Sequence, residues 1–128
     1  KVLVVDDSRD AADSCATLLQ LSGHEVRVAY NGRRALELAR DFQPDAVLLD
    51  IGLPDISGYE LARTIRAAPW AASVILIAVT GWGQEQDKRR ALQAGFDRHL
   101  TKPIAPDALE SLLQSLVASR ALRPAARA

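Results

Sequence analysis

Four short apolar runs in this 128-residue chain each end on a side chain suited to phosphate chemistry. Val2-Leu3-Val4-Val5 runs into Asp6-Asp7, Ala46-Val47-Leu48-Leu49 into Asp50, and Val74 to Val79 into Thr80. The shorter His99-Leu100-Thr101 runs into Lys102-Pro103. Continuous apolar runs bounded by turn residues read as strands buried on both faces, which is the pattern of a parallel sheet. In an open parallel α/β sheet the functional crevice lies at the carboxyl ends of the strands. Three carboxylates, a hydroxyl and an ammonium therefore fall on one rim.

Strand and helix signals alternate five times. Residues 2–6 read as the first strand. Ser8 caps a helix over about 9–22, with Ala11, Cys15, Leu18 and Leu19 at helical spacing and Gly23 ending it. Residues 25–30 alternate as a more exposed second strand. Asn31-Gly32 reads as a turn before a helix over about 33–42, built on Ala35, Leu36, Ala39 and Phe42 and closed by Pro44. Strand three is 45–50. After a loop, Tyr59, Ala62, Ile65 and Arg66 fall on a third helix, and strand four follows over about 73–79. A fourth helix, about 84–94, has only Ala91, Leu92 and Ala94 to pack inward and is expected to be loosely held. Strand five spans about 97–101. Pro106 opens a last helix carrying Leu109, Leu112, Leu113, Leu116 and Val117. The expected division is one domain over 1–118 and a tail or linker over 119–128, where Arg, Ala and Pro show no core pattern.

Right-handed crossovers place helices on both faces of such a sheet. The expected fold is α/β, a (βα)5 doubly wound three-layer sandwich with a five-stranded parallel sheet. By analogy with doubly wound folds the expected order is 2-1-3-4-5, which puts strands one and three, the most apolar, at the centre and opens a crevice where they meet.

Composition narrows the function classes. Apolar residues make up 48% of the chain, charged residues 25%, and the formal net charge is zero. Acidic and basic residues interleave, so no basic stripe supports nucleic-acid binding. No apolar stretch approaches the ~20 residues that span a bilayer, and no signal peptide opens the chain. Cys15 is the only cysteine, so the expected compartment is reducing and cytoplasmic. There is no methionine, and the first strand begins at once, which reads as a piece of a longer protein whose neighbours are missing. Among the 16 basic residues only Lys1, Lys88 and Lys102 are lysine, which sets Lys102 apart at its strand end.

Asp6, Asp7 and Asp50 come within a few ångströms of one another if strands one and three are neighbours. Like charges at that range raise each other's pKa and cost stability unless a cation is present. A hard divalent ion such as Mg²⁺ fits carboxylates, waters and phosphate oxygens, and no His or Cys lies nearby in sequence to favour zinc or copper. Asp50, ending the most buried central strand, is the best nucleophile; a carboxylate that attacks a phosphoryl group forms an acyl phosphate. Mg²⁺ and Lys102 supply positive charge to the equatorial oxygens. Thr80 can donate to a phosphoryl oxygen, and Gly81 lets the backbone approach closely. Pro103 fixes the turn that aims the Lys102 ammonium.

With these positions placed, the chain resembles the receiver domain of bacterial two-component response regulators, a family with the flavodoxin-like fold. The matching pieces are Asp6-Asp7, Asp50 followed by Leu53-Pro54 and Gly58, Thr80-Gly81, Ala94-Gly95 and Lys102-Pro103. The resemblance implies Asp50 as phosphoacceptor from a sensor histidine kinase or a histidine phosphotransfer domain. It implies Mg²⁺ held by Asp7, Asp50 and the Gly52 main-chain carbonyl, with Asp6 acting through water, and Thr80 and Lys102 on the phosphoryl group. It implies a switching surface formed by the fourth helix, fifth strand and last helix. Such a domain catalyses its own phosphorylation and dephosphorylation without being a free-standing enzyme. The wording around the site is most similar to receivers appended to hybrid sensor kinases, and an output domain can lie outside this chain. No direct nucleic-acid or membrane contact is expected of it.

Two positions depart from the family pattern. His99 stands where the family usually has Tyr or Phe as the switch partner of Thr80, so coupling is expected either to be impaired or to respond to pH near neutrality. Trp82 stands two residues past Thr80, where its indole either excludes water from the expected acyl phosphate or lies exposed to contact a partner. An aspartate phosphatase is disfavoured because the position two beyond Asp50 is Gly52 and not a second Asp. A flavin-type phosphate loop is disfavoured by Asp6-Asp7-Ser8. The main rival is a receiver-like module that binds partners without phosphorylation.

Overall fold

A computed structural model describes residues 1–53, 55–71, 73–80, 94–101 and 104–121, with backbone alone at 106 and 116–121. The elements are β1 (Val2–Val5), α1 (Arg9–Leu21), β2 (Val26–Ala29), α2 (Gly32–Phe42), β3 (Ala46–Asp50), α3 (Gly58–Ala67), a 3₁₀ turn at Pro69–Ala71, β4 (Ile75–Thr80), β5 (Arg98–Thr101) and a C-terminal helix (Pro106–Ala121). The five strands form one parallel sheet in the order β2-β1-β3-β4-β5, as expected from the sequence. The helix expected over 84–94 lies outside the described residues, except for its last residue, Ala94.

Side-chain alternation along the strands explains the two helical layers. Leu3, Val5, Val47, Leu49, Leu76 and Ala78 point to one face, where they pack with Ala35 and Ala39 of α2 and Leu61, Ala62 and Ile65 of α3. Val2, Val4, Ala46, Leu48, Ile75 and Ile77 point to the other and meet Ala12, Ala16 and Leu19 of α1 and Leu109 and Leu113 of the C-terminal helix. Both faces are buried, which is why β1, β3 and β4 read as unbroken apolar runs.

Helix starts follow local chemistry. The Ser8 side chain accepts from the Ala11 amide and caps α1, and Gly23, at φ 95°, turns the chain out of it. The inward face of α1 keeps Leu19 of the expected stripe but otherwise lies one residue further along. Ala12, Ala16 and Leu19 are buried, whereas Ala11 is exposed, Cys15 half-buried and Leu18 42% exposed. Two alanines let the helix axis approach the sheet more closely than Cys15 and Leu18 allow. Asn31-Gly32 is likewise no free turn. Asn31 is the N-cap of α2, and Gly32 is its first residue.

Candidate functional site

Parallel register puts the reactive residues on one rim. Val5 pairs with Leu49, so Asp6 and Asp50 each lie one step further along adjacent strands, and Asp50 pairs with Val79, just before Thr80. Neighbouring strands are about 4.8 Å apart. Asp6, Asp7 and Asp50 each present a carboxylate oxygen, and these oxygens all lie within 4.8 Å of one another.

Main-chain amides orient two of these carboxylates. Asp6 Oδ1 accepts from the Ser8 N–H at 2.9 Å, and Asp50 Oδ1 accepts from the Gly52 N–H at 2.9 Å. Both are Asx turns, which lock a carboxylate against the backbone two residues on. Asp6 and Asp50 are buried, while Asp7 is exposed and opens the cluster to solvent. The donor set is all carboxylate oxygen, which suits a hard divalent cation.

Thr80 is almost fully buried, and its Oγ1 lies 2.7 Å from His99 Nε2. Thr80 pairs with Thr101 in the sheet, so His99, two residues earlier, shares its face. Either the hydroxyl donates to a bare Nε2, or an Nε2–H donates to the hydroxyl. Lys102, Pro103 and Trp82 lie outside the described residues.

The loop after Asp50 is tightly held. Gly58 N–H donates to the Ile51 carbonyl at 3.2 Å, and a Cβ on Gly58 would collide with the Ile51 backbone. Asp55 Oδ1 accepts from the Gly32 N–H at 2.9 Å and Oδ2 from the Arg33 N–H at 3.1 Å. These two bonds hold the Asp55 carboxyl below the ordinary carboxylate pKa. Sequence reasoning assigned Asp55 nothing beyond the loop, because its partners are main-chain amides with no side-chain signature.

The sequence profile of the response regulator receiver domain family matches residues 2–114. The chain belongs to that family. The receiver is 34% identical to the phosphate regulon transcriptional regulatory protein PhoB of Pseudomonas aeruginosa, over 91% of this chain and 51% of that protein. It is 41% identical to the virulence sensor protein BvgS of Bordetella pertussis, over 95% of this chain and 10% of BvgS. Its fold matches the chemotaxis response regulator CheY4 of Vibrio cholerae with a TM-score of 0.84 at 29% identity, covering 90% of this chain and 96% of CheY4. The receiver thus spans about half the length of PhoB and a tenth of BvgS. Among its described residues no helix is long and apolar enough to cross a membrane.

Proposed function

We propose that Asp50 of this receiver accepts a phosphoryl group from a phosphohistidine on a sensor histidine kinase or histidine phosphotransfer domain. The carrying observation is the convergence of Asp6, Asp7 and Asp50 within 4.8 Å. An Asp50 oxygen attacks phosphorus, the P–N bond breaks, and the departing imidazole nitrogen is protonated. Asp7, Asp50 and the Gly52 carbonyl would hold Mg²⁺, with Asp6 acting on it through water. When bound, the ion offsets the negative charge that gathers on the phosphoryl oxygens. Thr80 and Lys102 take those oxygens, Pro103 fixes the lysine's turn, and Trp82 shields the acyl phosphate from water. Water attack on phosphorus later returns Asp50 to a carboxylate.

Phosphorylation draws the Thr80 hydroxyl toward the new oxygens and away from His99. This biases the surface made by residues 84–94, β5 and the C-terminal helix. Moving a population from 1:99 to 99:1 takes about 5.5 kcal/mol. Two or three charge-assisted hydrogen bonds at ~1.5–3 kcal/mol each reach that range. The receiver unit is assigned to 1–118, with 119–128 as a tail, in a cytoplasmic protein. The similarity to the virulence sensor protein BvgS supports placement within a larger sensor protein, which we read as a hybrid sensor kinase.

The test is intact mass after incubation with Mg²⁺ and acetyl phosphate. We expect a metal-dependent phosphoryl adduct that is absent in Asp50→Ala. A folded native chain that binds Mg²⁺ but gains no adduct would reject phosphoacceptor function in favour of a binding module.

A further inference from the structure

The loop between β3 and α3 is anchored in two different ways. Its own ends are joined locally, by Gly52 N–H on Asp50 Oδ1 and by Gly58 N–H on the Ile51 carbonyl. Its middle is tied to a separate element. Asp55 accepts from Gly32 and Arg33, 23 and 22 residues away in sequence, at the first turn of α2. The neighbouring Ile56 packs so closely on Gly32 that a Cβ there would overlap its Cγ2.

The first turn of α2 already carries a cap of its own, since Asn31 Oδ1 accepts from the Arg34 N–H at 2.8 Å. Asn31 and Asp55 therefore both satisfy amides left open at this helix start, but only Asp55 ties them to the loop beyond Asp50. A loop held in place before a ligand arrives spares the binding step its ordering cost. At neutral pH the Asp55 carboxylate is charged, as a two-amide clamp requires.

We propose that Asp55 is a positioning residue for the cation site. By clamping the loop to α2 it presets the Gly52 main chain, and through the Gly52–Asp50 bond the Asp50 carboxylate, for a divalent ion. The proposal rests on reading Asp6, Asp7, Asp50 and Gly52 as that ion's site.

The experiment is a titration with MgCl₂, followed by the Gly52 amide signal in ¹H–¹⁵N spectra, on the native chain, Asp55→Ala, Asp55→Asn and Asn31→Ala. Circular dichroism and thermal melts run beside it. We expect Asp55→Ala to raise the Mg²⁺ Kd about tenfold, the lower end of what outer-shell partners of a metal typically contribute. Asp55→Asn keeps one acceptor oxygen and should recover part of the affinity. Asn31→Ala should lower Tm comparably to Asp55→Ala, yet leave the Kd within about twofold of native. A native Kd in Asp55→Ala, or an equal rise in Asn31→Ala, would make Asp55 a helix cap only and overturn the proposal. A native chain that binds no Mg²⁺ would overturn the site reading itself, and this proposal with it.

Discussion

At the amino end of the sheet, Arg66 donates to the carbonyls of Ala71, Val74 and Gly95 and to Asp97 Oδ2 at 2.7 Å. The same Asp97 oxygen accepts from the Leu76 N–H, and the Asp97 N–H donates to the Leu76 carbonyl, so one ion pair joins α3, the 3₁₀ turn, β4 and the segment leading into β5. At the carboxyl end, three carboxylates crowd within 4.8 Å. One end gathers opposite charges and uses them to fasten strands. The other gathers like charges, two of which accept from backbone amides. If the carboxyl end takes a cation and a phosphoryl group as proposed, its carboxylates are committed to those ligands, and the Arg66–Asp97 end fastens the strands.

That contrast can be broken most directly at the fastened end. Arg66→Met should destabilise the receiver by about 2–4 kcal/mol in urea melts, because Asp97 and three carbonyls lose their shared donor. The folded variant should still accept a phosphoryl group at Asp50. A loss below about 1 kcal/mol would mean the pair fastens little. Asp7→Asn should act in the opposite direction and stabilise the metal-free protein by about 1 kcal/mol at low salt. Mg²⁺ should raise its Tm less than it raises that of the native chain. Equal or lower stability in metal-free Asp7→Asn would show that the carboxylates do not strain one another.

The smallest effect on stability is expected at the edge of the rim. His99→Phe should cost about 0.5 kcal/mol, since burial of the phenyl ring offsets much of the bond lost by Thr80. Its informative readout is kinetic. The decay of the phosphorylated form should vary between pH 6 and 8 in the native chain and lose that variation in His99→Phe. Identical profiles in the two proteins would remove His99 from the switch.

Much of this molecule was legible in the order of its residues. The alternation of apolar runs and helical spacings dictated a five-stranded parallel sheet, and a parallel sheet puts every strand's carboxyl end on the same side. Asp6, Asp50 and Thr80 could therefore be assigned to one rim before any distance was known. His99 was linked to Thr80 only through the family resemblance, and the 2.7 Å contact depends on the register of β4 and β5.

Tertiary structure decided what repeats or partners leave open. On α1, Ala11, Cys15 and Leu18 have the same spacing as Ala12, Ala16 and Leu19, one residue apart. Periodicity specifies a stripe but not which of two equivalent stripes turns inward. Close packing chose the one headed by small alanines. Asp55 and Arg66 were invisible as anchors for a related reason: most of their partners are peptide groups, which every residue carries. Local sequence sets where strands end and which side chains stand there. Only the folded chain settles which backbone amides and carbonyls come within reach of a charge, because those groups differ in position and not in kind.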